Sequence, residues 1–393
     1  MDSQITPTPR ALVAYGPPTT TPWRLEPISL RPLADTELLI RTVAAGICHT
    51  DLAIAEVAGA FGGFPRVMGH EGAGYVLATG TAVTIAKPGD PVLLSYNSCG
   101  ACRLCTTNHP AHCLRFMEVN FVGSLDFSSS HPMNKENPFA ADNPTIRASF
   151  FGQSCFASHT IAAQRSVVNM SSLIKSPEEL KLFAPLGCGV QTGCAAVTKV
   201  ADAREGDTVA ILGLGGVGLS AVMATRIRGC KTIIGVDRVK GRLELARELG
   251  ATAVIDTSEL VGDVGEALVH AMQALTPDGL GTTVTIETTG VMGLVEAGVA
   301  FTAPLGRYVQ VGSTGVGAAV SVQLTPLMVS GKRIMGTIEG DAVARDYVPE
   351  MVKWYREGRL PLEKIVGWFG AEEAGRALEE MEKGRVVKPV IVW

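Results

Sequence analysis

The residues of this chain with the most chemistry in them are cysteines, and they fall into two arrangements. Cys99, Cys102, Cys105 and Cys113 follow the spacing C-x2-C-x2-C-x7-C. Four thiolates this close in sequence can wrap one Zn²⁺ tetrahedrally, and a closed shell of four sulfurs leaves no position for a substrate. The spacing is that of a structural zinc site. An iron–sulfur cluster is the other group that four thiolates hold, and a pair of disulfides would require an oxidising compartment.

The second arrangement is dispersed. Cys48 lies in GICHTD, His70 and Glu71 in GHEGAG, and Cys188 in PLGCGVQTG, each in a stretch flanked by glycine. Two thiolates and one imidazole brought to a shared point would hold zinc with a fourth position open to water or a substrate oxygen. Taken singly, Cys48 and Cys188 also read as small buried apolar residues, and His70 as a hydrogen-bonded core imidazole. Spacing alone leaves both readings open.

A third motif suits phosphates. Gly213-Leu214-Gly215-Gly216-Val217-Gly218 stands between a β-type run and a helical one. The first glycine permits the tight turn, the second lets backbone N–H groups approach a pyrophosphate, and the third lets helix pack on strand. Asp237 ends the following strand (IIGVD), where a carboxylate can accept both ribose hydroxyls and would repel a 2′-phosphate. That favours NAD over NADP, although Arg238 next to it offsets some of the repulsion.

These residues need two kinds of scaffold. Up to residue 189 the chain is rich in Pro, Gly, Thr and short β-type runs such as Glu37–Val43, and predicts a mostly β domain. The stretch Phe116–Phe150 is polar and irregular and predicts a long surface excursion. From Asp207 strands and helices alternate: strands at Val209–Leu212, Thr232–Val236, Ala253–Ile255, Val284–Glu287, Arg307–Val311 and Arg333–Gly336, with helices between most of them. Six such strands predict a doubly wound parallel sheet, an α/β fold of the dinucleotide-binding type. A helix at Val343–Glu357 and an apolar strand at Val386–Val392 are surplus to that sheet. The predicted domains are therefore 1–189 with 339–393, interrupted by 190–338.

Composition narrows the function classes. A chain of 393 residues holds two or three domains at ~150 residues each, and 46% apolar residues supply their cores. A net charge of −4 gives no broad basic surface and argues against nucleic acid as partner. The uncharged run Thr208–Thr225 approaches the length of a membrane span, but its four central glycines fit a buried strand, turn and helix better. The N-terminal residues show no secretory pattern, so the expected location is the cytoplasm.

As an ordered set, GICHTD, GHEGAG, the four-cysteine segment, GCGVQTG, GLGGVG and VD resemble the zinc-dependent medium-chain alcohol dehydrogenases over nearly the whole chain. FFGQSCFASH, beginning at Phe150, and GTIEGD, ending at Asp341, are similar to the aryl (benzyl) alcohol dehydrogenase branch. The resemblance implies a GroES-like β domain interrupted by a Rossmann domain, two zinc ions per chain, and NAD-dependent interconversion of a primary, aromatic or bulky alcohol and its aldehyde. It implies Cys48, His70 and Cys188 as catalytic zinc ligands, with Glu71 behind as an alternate one. It makes Asp51 the carboxylate that orients His70, and Thr50 the hydroxyl that hydrogen-bonds the alcohol. Thr192 falls near the nicotinamide, Lys388 against the pyrophosphate, and Glu339 beside the cofactor or pocket. Relatives are dimers or tetramers.

Departures from the family pattern shape the expectation. Ala53 stands where many members have a histidine that ends a proton relay. His49 replaces an arginine that meets cofactor phosphates in several relatives, and is expected to bind pyrophosphate as imidazolium. Ser95 replaces a bulky aromatic and implies a wider pocket. The competing functions are a biosynthetic reductase of a complex aldehyde or an activated C=C or C=N bond, a formaldehyde dehydrogenase acting on a glutathione adduct, and a non-catalytic protein that binds NAD and zinc.

Overall fold

The structure is a computed structural model that describes residues 8–129, 145–315 and 317–393. It forms two compact units: residues 1–188 with 344–349 and 362–393, and residues 189–343 with 350–361. The second unit thus keeps 339–343 and 350–361, which the sequence reading gives to the first.

The first unit is β-rich. Strands Arg10–Ala14, Arg24–Leu30, Ser124–Ser129, Thr145–Ala148 and Arg66–Val67 close a barrel. This corrects the expected surface excursion at Phe116–Phe150. Ser124–Ser129 pairs antiparallel with Thr145–Ala148, and Phe116, Phe121, Phe127 and Phe150 are buried. The sequence hid this because only Phe127 of the four lies on a strand, and that strand exposes Leu125 while burying Asp126, against the usual apolar-in, polar-out alternation. Residues 130–144, with His131 among them, lie outside the described residues.

A seven-stranded sheet completes the unit and places its chemistry. Strand Glu37–Gly46 runs antiparallel to Glu71–Thr79 with Gly46 opposite Glu71, and antiparallel to Lys388–Val392 with Gly46 opposite Val390. The end of one strand therefore lies beside the starts of two others. Cys48, His70, Glu71 and Lys388, remote in sequence, are brought to one corner of the sheet. Gly46 leaves room for the Glu71 carboxylate, since a Cβ there would lie 2.1 Å from its Oε2 and displace it.

The second unit is a six-stranded parallel sheet. Its order is Ala253–Asp256, Thr232–Asp237, Thr208–Leu212, Thr282–Glu287, Thr302–Gln310, Arg333–Gly336. The chain builds outward from Thr208–Leu212 on one side and then returns to its other side at Thr282–Glu287. This reversal leaves a crevice at the carboxyl ends of the two central strands. Apolar runs bury both faces: Ala210, Leu212, Ile234 and Val236 pack with Leu268, Met272 and Phe301 on one, and the alternating Val209, Ile211 and Ile233 are buried on the other.

Candidate active site

In the first unit, the Cys48 and Cys188 sulfurs, a His70 ring nitrogen and a Glu71 oxygen all lie within 4.8 Å of one another. Cys48 precedes helix His49–Glu56, and Cys188 follows the short helix Ala184–Gly187. A Cβ on Gly187 would come within 2.0 Å of the Leu94 carbonyl, so only glycine lets Cys188 approach this closely.

Asp51 organises the cluster from behind. Fully buried, it accepts hydrogen bonds from the backbone N–H of Cys48 (2.9 Å) and of Gly69 (3.0 Å), and contacts Nδ1 of His70 at 3.0 Å. The bond to Nδ1 turns Nε2 toward the sulfurs. Nε2 itself is buried without a hydrogen-bond partner, a vacancy that protein interiors rarely leave. An orphaned imidazole nitrogen facing two thiols and a carboxylate is a donor set that fits zinc. Electrostatics agree with that reading. Hydrogen bonding with Cys188, aided by Lys388 and His70, holds the Cys48 thiol well below its ordinary pKa against the opposing effect of burial. Burial works to lower the His70 pKa, but Asp51 outweighs it and holds the ring well above its usual value.

Thr50 Oγ1 lies 3.7 Å from the Cys48 sulfur, at the edge of the cluster. His49 is exposed at the first position of its helix. Ser95 is buried and donates to the Gly187 carbonyl at 2.6 Å. Where the resemblance puts Lys388 against a pyrophosphate, the structure shows its ammonium inside the cluster, 2.8 Å from Glu71 Oε1 and 3.1 Å from the Ile47 carbonyl. Burial works to lower the Lys388 pKa, yet Glu71 and the Cys48 thiolate carry it above the ordinary lysine value.

Sequence reasoning missed Gln153. Its amide donates to the His70 carbonyl (2.8 Å) and the Ser95 carbonyl (2.9 Å), and its oxygen accepts from Gly72 N–H (3.2 Å). The FFGQSC stretch was the available signal.

The four-cysteine segment also closes on one point. Cys99, Cys102, Cys105 and Cys113 have their sulfurs within 4.8 Å of one another, with Cys99 to Cys105 at 3.8 Å and Cys102 to Cys105 at 3.5 Å. A disulfide needs about 2.05 Å, whereas the edge of a tetrahedron with Zn–S bonds of ~2.3 Å is about 3.8 Å. Backbone N–H groups of Cys102 and Arg115 point at the Cys99 and Cys113 sulfurs at 3.4 Å, as thiolates require.

In the second unit, Gly213 follows strand Thr208–Leu212 with φ of +86°, and helix Gly216–Ile227 begins three residues later. A Cβ on Gly218 would lie 1.8 Å from the Gly213 carbonyl, whereas one on Gly215 would meet nothing within 4 Å. The three glycines thus divide into a turn, an open face and a close packing, as a pyrophosphate loop requires. Val217 lies in the first turn of the helix. Asp237 accepts the Leu214 N–H at 2.7 Å and the N–H of Arg238 at 2.7 Å, which fixes it at the rim of the loop. Arg238 is exposed, while Arg242, unanticipated, approaches Asp237 at 3.9 Å. Thr192 is buried in helix Gly189–Ala195. Beside it, Gln191 donates to the buried Glu339 carboxylate at 3.1 Å. A further unanticipated residue is Glu287, which accepts from Thr289 N–H and Gln310 Nε2 at 2.7 and 2.9 Å. That anchors the loop abutting Gly213.

Comparison with known proteins decides the family. Residues 34–172 match the alcohol dehydrogenase GroES-like domain, and residues 216–357 match the zinc-binding dehydrogenase domain. A geraniol dehydrogenase of Castellaniella defragrans is 35% identical over 376 residues, 95% of each chain. The chain belongs to the zinc-binding alcohol dehydrogenases. An S-(hydroxymethyl)glutathione dehydrogenase of Photobacterium damsela subsp. piscicida is 31% identical over 385 residues, 97% of this chain and 99% of that one. The crystal structure of benzyl alcohol dehydrogenase from Acinetobacter calcoaceticus superposes with a TM-score of 0.85 at 31% identity, covering 98% of this chain and 99% of that one. In this family the chain is a zinc-dependent dehydrogenase, and its two thiolate-rich clusters match two zinc ions per chain. No helix among the described residues is long and apolar enough to cross a membrane.

Proposed function

We propose that this dehydrogenase interconverts a primary aromatic or similarly bulky alcohol and its aldehyde with NAD, using Cys48, His70 and Cys188 as the ligands of the catalytic zinc. The observation that carries this reading is the orphaned Nε2 of His70, aimed by Asp51 into the two-cysteine cluster. Zinc there supplies a Lewis acid and the nicotinamide a hydride acceptor. The chain's own residues do the rest. Cys48 and Cys188 provide charge, Asp51 keeps the His70 proton on Nδ1, and Glu71, held by Lys388, stands as the alternate ligand. Thr50 accepts the proton of the alcohol hydroxyl and passes it toward water, since Ala53 cannot continue a relay. Cys99, Cys102, Cys105 and Cys113 hold the structural zinc.

Gly213, Gly215, Gly216, Val217 and Gly218 receive the pyrophosphate, Asp237 with Arg238 the adenosine ribose, and Thr192 the nicotinamide. His49, exposed at the start of its helix, adds positive charge for the phosphates, whereas Lys388 is committed to Glu71. The aromatic preference is supported by the likeness to benzyl alcohol dehydrogenase. The glutathione-adduct relatives set the second arm of the test. With NAD and a panel of benzylic, terpenoid and short aliphatic alcohols plus S-(hydroxymethyl)glutathione, kcat/KM is expected to be highest for the aryl alcohols. Preference for the glutathione adduct, or turnover in the reductive direction alone, would contradict the reading.

A homo-oligomer joined through the dinucleotide unit is supported by its sheet edge. Strand Arg333–Gly336 ends the sheet, and Leu305, Leu324, Met328 and Val329 nearby are each at least 75% exposed. An unpaired edge with exposed apolar side chains is a surface that a second copy can cover. Sedimentation is expected to show a dimer or tetramer that M328D/V329D weakens. A cytoplasmic location is supported by the six cysteines of the two clusters, which hold zinc only in the reduced state that a reducing compartment maintains.

A further inference from the structure

One short segment of the first unit carries an unusual backbone. Ser149, Phe151, Gly152 and Ser154 all have left-handed φ, at +57°, +55°, +68° and +56°. Glycine takes that conformation readily, whereas a phenylalanine in it is an outlier. Such strain persists only where the surroundings hold it, and it gathers at functional sites.

The surroundings do hold it. Phe150 N–H donates to Ser154 Oγ (2.9 Å), which in turn donates to the Val67 carbonyl (2.7 Å). Ser166 Oγ donates to the Phe151 carbonyl at 3.0 Å. Gly152 is confined because a Cβ would meet Ser166 Oγ at 2.4 Å and Asn97 Cβ at 2.8 Å. What this segment grips is His70. The Phe151 ring stacks on the imidazole with centroids 4.4 Å apart and planes 21° apart, and Phe150 meets it edge-on at 5.4 Å and 84°. Gln153, from the same segment, ties down the His70 backbone carbonyl.

Asp51 and this segment constrain different motions. A single hydrogen bond to Nδ1 fixes one atom of the ring but leaves the ring free to rock about that bond. A ring stacked flat on one face, with an aromatic edge set against it, removes the rocking. We infer that Phe151 is a positioning residue, strained into place so that its ring locks the plane of His70 and slows loss of the ion held with Cys48 and Cys188. The inference rests on the metal assignment proposed above and adds a residue to it.

The test is the rate of zinc release to a chromophoric chelator, measured on the full-length holoenzyme. The release phase absent from Cys48→Ser identifies the catalytic site. Phe151→Leu, which keeps bulk and loses the stacked ring, is expected to speed that phase about three- to tenfold, the range an aromatic pair is worth. Phe151→Tyr restores the slow rate. Phe121→Leu is the control: it packs on both Phe150 and Phe151 without stacking on His70, and is expected to lower Tm while leaving the phase unchanged. Release from Phe151→Leu at the wild-type rate, or equal acceleration by Phe121→Leu, overturns the inference while leaving the metal assignment intact. A wild-type enzyme that shows no phase sensitive to Cys48 overturns both.

Discussion

Lys388 and Glu71 stand 317 residues apart in the chain, and their side chains meet at 2.8 Å with 4% and 0% of their surfaces exposed. The pair ties the last strand, Lys388–Val392, to strand Glu71–Thr79 at the metal corner. Such a pair is costly to break, because one partner alone becomes an uncompensated buried charge.

Lys388→Met is therefore expected to destabilise the fold by about 3–5 kcal/mol, and the double variant Lys388→Met/Glu71→Gln to recover most of it. Urea denaturation of the four proteins in this cycle measures the difference. Equal losses in the single and double variants would show that Lys388 acts through packing alone.

Asp237 sets cofactor choice in this account. Its carboxylate is fixed at the rim of the glycine loop by Leu214 and Arg238 N–H groups. Asp237→Ser removes the charge that repels a 2′-phosphate and leaves Arg238 and Arg242 beside it. The ratio of kcat/KM with NADP to that with NAD is expected to rise about tenfold or more, the equivalent of ~1.4 kcal/mol. An unchanged ratio would place the ribose elsewhere.

A pH dependence of stability follows from Asp207. Its carboxylate accepts from Thr283 Oγ1 (2.7 Å) and Arg204 N–H (2.8 Å), and pairs with Arg307 at 2.6 Å. Burial alone would raise its pKa, but these partners hold it below the ordinary 3.8. A carboxylate with a depressed folded-state pKa adds stability above its unfolded value and loses it as pH falls through the folded one. Asp207→Asn is expected to cost about 1.5–3 kcal/mol at pH 7. The gap to wild type should shrink below pH 3.8, read from Tm in a pH series. A gap independent of pH would mean the charge is not what matters.

The second unit was the more legible in sequence. Apolar runs such as Thr208–Leu212 and Thr232–Asp237, separated by helical stretches, carry their own periodicity, and Gly213 to Gly218 marks the turn by local sterics. The four-cysteine segment was legible from its spacing, whereas the dispersed Cys48, His70 and Cys188 were not, and their ligand role came from the family resemblance. The contacts that hold the first unit together were not. Lys388 finds Glu71 only through strand pairing across Gly46, Gln153 reaches His70 through a left-handed turn, and Phe121 and Phe150 are buried from short helical turns that flank the barrel strands. Each depends on a long-range register that no local pattern encodes.

Zinc content per folded chain, measured by elemental analysis of the wild type and of Cys48→Ala, tests the central assignment most directly. Two ions in the wild type and one in Cys48→Ala, with turnover lost and NADH binding retained, is the predicted result. Two ions in both proteins, or turnover that survives in Cys48→Ala, would contradict it.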